Sequence, residues 1–273
     1  MKINLLILIL MPLISFAQLD TIFTDNQKLL VNVKEISNHE IKYTFPNEDL
    51  LNSIYKNSVE KIVFKNGRIQ TFNESSSFKN IDNIEDYDKI TLTQVQSEVL
   101  GLNKIGDVSS KAVGTTVVSN VEKVKDRAYK KLKIQAAMLG ANIIYLSDMR
   151  SQGNKWGGYY SSGQKTETSL TGIAYSNKVL DLNEFKRNIT KSEFQISEIY
   201  ELKNSSFDVE KNNEIKDIFY LENIEQDGKS IYITGKIGNK GASTRFKLSR
   251  FNNTTFGLFS DGKRSVFYHV LNF

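Results

Sequence analysis

The chain has no cysteine, only two histidines and a single tryptophan in 273 residues. Without cysteine there is no disulfide scaffold, no thiolate nucleophile and no cysteine-based zinc cluster. With His39 and His269 as the only imidazoles, a histidine-dependent catalytic triad has almost no raw material. Apolar runs are short as well. The longest, Leu5 to Leu10, falls far below the roughly 20 residues that span a bilayer.

That run has another reading. Lys2 supplies a short basic start, Pro12 interrupts the apolar stretch, and Ser15-Phe16-Ala17 places small residues where a signal peptidase reads. Residues 1–17 are therefore expected to be a cleaved secretory leader, with the mature chain starting near Gln18. No cysteine follows the apolar run, which excludes an N-terminal lipid anchor and leaves a soluble or peripherally membrane-associated protein. Lys2 leaves with the leader, so the formal charge falls from +5 to +4. Basic and acidic residues are interspersed rather than clustered, which argues against nucleic acid as a partner.

What is present is the composition of a folded globular protein: 40% hydrophobic, 25% charged and 11% aromatic residues. The expected class is α+β and β-rich, with two polar breaks separating three modules. The first, 18–84, reads as a small all-β barrel or roll. Leu29, Val31 and Val33 alternate, as do Ile41, Tyr43 and Phe45, across a turn at Ser37-Asn38. Asn66-Gly67 joins a second hairpin and favours a type I′ turn.

The second module, 86–178, reads as ββαββ. Val121, Val124, Ala128, Leu132, Ala136 and Leu139 recur at helical spacing over about 20 residues. Ser119 and Glu122 have capping-box spacing, and Gly140 suits a left-handed C-terminal residue. The outer side of this helix carries Lys123, Arg127, Lys130 and Lys131, which is either a docking face for anionic lipid or an acidic partner, or a solvated surface shared with Glu122 and Asp126. Between the last two strands, residues 151–165 hold four glycines around Lys155, Trp156, Tyr159 and Tyr160. This segment is either a recognition loop or a cover for its own sheet.

Gly106-Asp107-Val108, followed by Ala136-Ala137-Met138-Leu139-Gly140-Ala141-Asn142-Ile143-Ile144, resembles the small β-α-β domains of the YbjQ-type family, named for heavy-metal binding, and the signalling domains of Rcs-type outer-membrane stress-sensor lipoproteins. The resemblance covers about 90 residues and implies an α+β fold in an envelope or sensing context. It does not carry metal binding with it, because this module has neither cysteine nor histidine. The first module, directly behind the leader, is similar to secreted proteins of Bacteroidetes type. The end at Leu271-Asn272-Phe273 lacks the basic close of the sorting domains used for surface secretion there, so a periplasmic location is expected over an extracellular one.

The third module, 190–273, reads as an antiparallel meander whose strands are separated by Asp227-Gly228, Asn239 to Gly241, Asn252-Asn253 and Asp261-Gly262. His39 falls in a turn and His269 in the last strand, neither with a catalytic setting. Gly101 and Gly106 resemble the opening of a phosphate loop, but Asp107-Val108 stands where lysine and a hydroxyl are required. Glu85, Asp86 and Asp88 crowd a polar linker with no aromatic platform. No cofactor or metal is expected. The reading is an exported, non-catalytic envelope protein that binds a protein or cell-surface component, in stress sensing or envelope maintenance. The alternative is a secreted hydrolase whose carboxylate pair assembles between modules.

Overall fold

The computed structural model describes residues 19–24, 27–72, 79–115, 120–153 and 165–273. The expected leader and the segment carrying Lys155, Trp156, Tyr159 and Tyr160 lie outside them.

The N-terminal module is one antiparallel sheet. Its strands are β1 (Asp20–Phe23), β2 (Lys28–Ile36), β3 (Glu40–Thr44), β4 (Asn52–Tyr55), β5 (Lys61–Val63) and β6 (Ile69–Thr71), in the order β4-β3-β2-β1-β5-β6. The expected barrel or roll resolves to this sheet, with β4 and β6 as its edges and a bulge in β2 between Val33 and Glu35 that bends it. Ile22, Val31, Ile41 and Ile62 bury its inner face. Asp20 is buried beside them and is satisfied by two backbone amides, accepting from Val33 N at 2.9 Å and Lys65 N at 2.8 Å. The type I′ expectation fails at Asn66-Gly67. Gly67 N donates to Phe64 O at 2.8 Å, and only Gly67 adopts a positive φ, +82°, so the turn is a longer one that closes on a single left-handed glycine.

The central module keeps the expected chain order. A 3₁₀ helix (Ile84–Lys89) leads into β7 (Thr91–Thr93); then come β8 (Asn103–Val113), α1 (Val121–Leu139), β9 (Ile143–Gln152) and β10 (Glu167–Ser176). The sheet order is β7-β9-β10-β8, with β7 and β9 parallel. The helix starts one residue later than the expected Ser119 cap. Asn120 is the N-cap, its side chain accepting from the backbone of Glu122 at 2.8 Å and Lys123 at 3.3 Å. At the other end Gly140 is left-handed, φ +83°. Its amide donates to Ala137 O and that of Ala141 to Ala136 O, both at 3.0 Å, the paired bonds of a Schellman motif.

The C-terminal module comprises α2 (Leu182–Asn188), β11 (Glu193–Lys203), β12 (Glu210–Asn212), β13 (Ile218–Asp227), β14 (Ser230–Ile237), β15 (Thr244–Phe251), β16 (Thr255–Asp261) and β17 (Ser265–Asn272). The expected meander is present, and β17 also pairs with β11, so the sheet returns to its first long strand. Phe194, Phe219, Ile231, Ile233, Phe246 and Phe256 fill one side. The polar break expected around Asn177 to Asn188 carries α2. Asp181 caps α2 by accepting from Asn183 N and Glu184 N, and α2 delivers Phe185 into this aromatic core, 5.6 Å from Phe256.

Helix α1 is clamped between two sheets. Val124, Ala128, Leu132 and Ala136 are buried as expected, but so are Ile134, Ala137 and Met138, because Tyr200, Leu202, Val266 and Tyr268 of the C-terminal sheet belong to the same core. The N-terminal module attaches by polar contacts instead: Asn57 Nδ2 donates to the carbonyls of Glu98 and Leu100 at 3.2 Å, and Ser58 Oγ to Gly101 O at 2.8 Å.

Candidate functional site

Where the C-terminal end of α1 meets the outer wall of the C-terminal sheet there is a cavity of about 270 Å³. Local sequence shapes it in three places. The register of β15 slips between Leu248 and Arg250, so Ser249 is an extra residue and Arg250 comes to lie opposite Gly257. Gly257 leaves room for a ring: a Cβ there would sit 1.9 Å from Tyr268 Oη. Gly140 lets the helix end touch the bulge, since a Cβ there would lie 2.3 Å from Ser249 O.

Two cations on β15 line this cavity. Arg250 donates through Nη2 to Ala137 O at the end of α1, and its guanidinium carbon lies 5.5 Å from the centre of the Tyr268 ring. Its Nε and Nη1 are buried without partners among the described residues, as is Ser249 Oγ. Lys247 donates to Ile105 O, and burial lowers its pKa. Neither cation has a carboxylate partner among the described residues. The carbonyls at the end of a helix carry only partial negative charge, so the compensation of Arg250 is incomplete.

Beyond Tyr268 on the same sheet lies a compensated cluster. Tyr200 Oη lies 2.9 Å from Glu85 Oε1 and 2.8 Å from Glu198 Oε2, and Lys211 Nζ lies 3.0 Å from Glu198 and 3.4 Å from Glu85. The linker expectation for Glu85 is thereby corrected: Ile84 anchors the 3₁₀ helix in the core, and Glu85 reaches an aromatic hydroxyl from the next module. Burial, followed by the carboxylates, pushes the Tyr200 phenol up, despite an opposing hydrogen bond to Lys211. Burial also pushes Glu85 up, but its backbone bond, Tyr200 and Lys211 outweigh this and hold it below the ordinary carboxylate value. Asp86 is engaged elsewhere, accepting from the backbone of Asp82 and Asn83 and pairing with Lys89.

Two carboxylates from different modules therefore meet, as the hydrolase alternative requires, but Glu85 is not held as a proton donor. A glycosidase acid must keep its proton near neutrality, whereas Glu85 is shifted the other way.

The basic helix face is distributed among several contacts. Lys123 is exposed, Arg127 lies 5.1 Å from the Phe207 ring, and Lys130 pairs with Asp208. Lys131 is not on the outer side: it is 7% exposed and donates to Asn204 O at 2.7 Å. His39 lies exposed in its turn. His269 is buried against Phe246 and Phe267, with Nδ1 unpartnered. Among the described residues no three His, Cys, Asp or Glu side chains form a metal-binding group, and no helix is long and apolar enough to cross a membrane.

A second, more open groove of about 530 Å³ borders the first at Asn103 and Lys229 and contains none of the buried unpartnered atoms. No family model, curated protein or solved structure matches the chain.

Proposed function

We propose that this chain is an exported, non-catalytic binding protein of the cell envelope, which holds a protein or cell-surface component in stress sensing or envelope maintenance. The observation that carries the reading is the state of the ionisable groups around the cavity. Glu198 on its lining is committed to Lys211 and Tyr200, while Arg250 and Lys247 have only carbonyls as hydrogen-bond acceptors among the described residues. Such a wall can recognise but has no poised acid, base or nucleophile to turn over a bond. The envelope setting rests on the expected leader and on the resemblance of the 106–144 stretch to envelope sensor domains.

Because the natural chain lacks cysteine, a single thiol can be introduced at will. Lys229→Cys at the cavity mouth, carrying a photo-crosslinker in the native envelope, is expected to give a discrete adduct absent from Arg68→Cys at the far hairpin. Identical adducts from both positions, or none, would overturn the reading. Deleting residues 153–163 tests the aromatic segment separately: loss of the adduct with retained folding assigns capture to that segment as well.

A hydrolase reading is favoured only by the meeting of Glu85 and Glu198 on Tyr200. Glycoside turnover by the purified chain that disappears in Glu85→Gln would establish it in place of the binding role.

A further inference from the structure

We infer that the cavity between α1 and β15 is an oxyanion site, built to take a carboxylate or phosphate group of a small molecule against Arg250 and Lys247. The inference goes beyond the binding role proposed above: the small anionic ligand is additional to the protein or cell-surface partner.

An arginine keeps its charge at every pH a protein survives, and here two of its three nitrogens are buried without an acceptor. Lys247 lines the same cavity, half-buried, with one carbonyl as its only hydrogen-bond partner among the described residues. A buried charge without a counter-ion is strongly unfavourable, and two on one wall also repel each other. The register slip at Ser249 places both on this wall. Lys178 and Lys229 add positive charge at the lining, against Asp82 and Glu198. Glu198 already neutralises Lys211 at 3.0 Å, so the balance left for a ligand is positive. Ser249 Oγ, buried and unpartnered on the same wall, supplies a neutral donor suited to a tetrahedral or planar oxyanion. The Tyr268 ring, seated over Gly257, gives an apolar side for the remainder of the ligand. At about 270 Å³ the space lies just under the ~300 Å³ at which drug-sized pockets begin, so the ligand is small and a polymer chain is excluded from the interior.

The test uses the leaderless chain at constant ionic strength, titrated with orthophosphate in one arm and succinate in the other, with chloride as the balancing salt. Saturable stabilisation is expected, reaching a rise of about 5 °C in Tm at a hundredfold excess over Kd. A response to phosphate alone identifies a phosphoryl ligand, and one to succinate alone a carboxylate. Lys247→Met should weaken binding at least tenfold while leaving the unliganded Tm at or above that of wild type, since it removes an uncompensated charge, and Arg250→Met should weaken binding to the same degree. If Arg250→Met does not fold, the lysine variant decides. No saturable response to either anion, or one unchanged in Lys247→Met, overturns the site. Failure here with a retained Lys229 adduct removes the ligand class and leaves the binding role. A retained anion response with no adduct in the envelope removes the partner and leaves the site.

Discussion

His269 lies between the rings of Phe246 and Phe267 and is held neutral by burial, its pKa lowered to about 4 against a backbone contact with Leu258 that pulls upward. The unfolded chain binds a proton there near pH 6.5 and the folded chain does not. Stability therefore falls as the pH drops from about 6.5 toward 4, by about 1.4 kcal/mol per unit from this residue. Urea denaturation at a series of pH values should show that slope, and His269→Leu should flatten it. A slope unchanged in the variant would place the titration elsewhere. Asp20 illustrates the opposite case, a buried charge whose two backbone donors satisfy it. Asp20→Ala strands both amides and should cost about 2–4 kcal/mol in chemical denaturation. Neither environment was readable along the chain, because Val33 and Lys65 lie far from Asp20 in sequence, as Phe246 does from His269, and only Phe267 is a near neighbour. Arg250 did leave a trace: Phe246 and Leu248 alternate, then Ser249-Arg250-Phe251 breaks the phase, which is how a bulge is written in sequence.

At the scale of elements, what periodicity alone determines was legible. The apolar stripe of α1, its Gly140 terminus, and the strands of the C-terminal meander from β13 onward follow from spacing and turn residues. Short strands such as β1, β4 and β12 went unread, and β11 and α2 were hidden for two different reasons. β11 carries Phe194, Ile196, Tyr200 and Leu202 on alternate positions, but its acidic intervening residues and its slip between Ile196 and Glu198 blur the pattern. α2 is too short for periodicity to declare itself and sits in a polar stretch, yet Asp181 and Phe185 make it the plug of the aromatic core. Phe185→Ala should destabilise the C-terminal module by about 3–5 kcal/mol in a urea melt. A loss under 1 kcal/mol would mean that the helix merely rests on the surface. Lys131 shows the limit of a face assignment from one helix: which side is outside depended on a second sheet, from residues seventy positions away, packing over it.

For the whole molecule, the division of cores sets the unfolding behaviour. The central and C-terminal modules share the cluster that runs from Ala128 and Leu132 to Tyr200 and Tyr268, so they should melt together. The N-terminal sheet has its own core and is joined through Asn57 and Ser58. Calorimetry should resolve two transitions, with Asn57→Ala moving the smaller one down and leaving the larger in place. A single transition in both proteins would show that the polar joint couples all three modules. The candidate site belongs to the larger unit, which is why reading the modules one at a time could not reveal it: Glu85, Ala137, Glu198 and Arg250 converge only after the pieces are assembled.

The pairing of β11 with β17 also has a cost during synthesis. The strand that closes the circuit follows all the others of its sheet along the chain, so until it docks the C-terminal module carries two unsatisfied strand edges, a hazard for sticking to other chains. A stop codon at Val266 would expose both edges permanently and uncover the helix as well, so the truncated product should be degraded or aggregate rather than persist as a weakened protein.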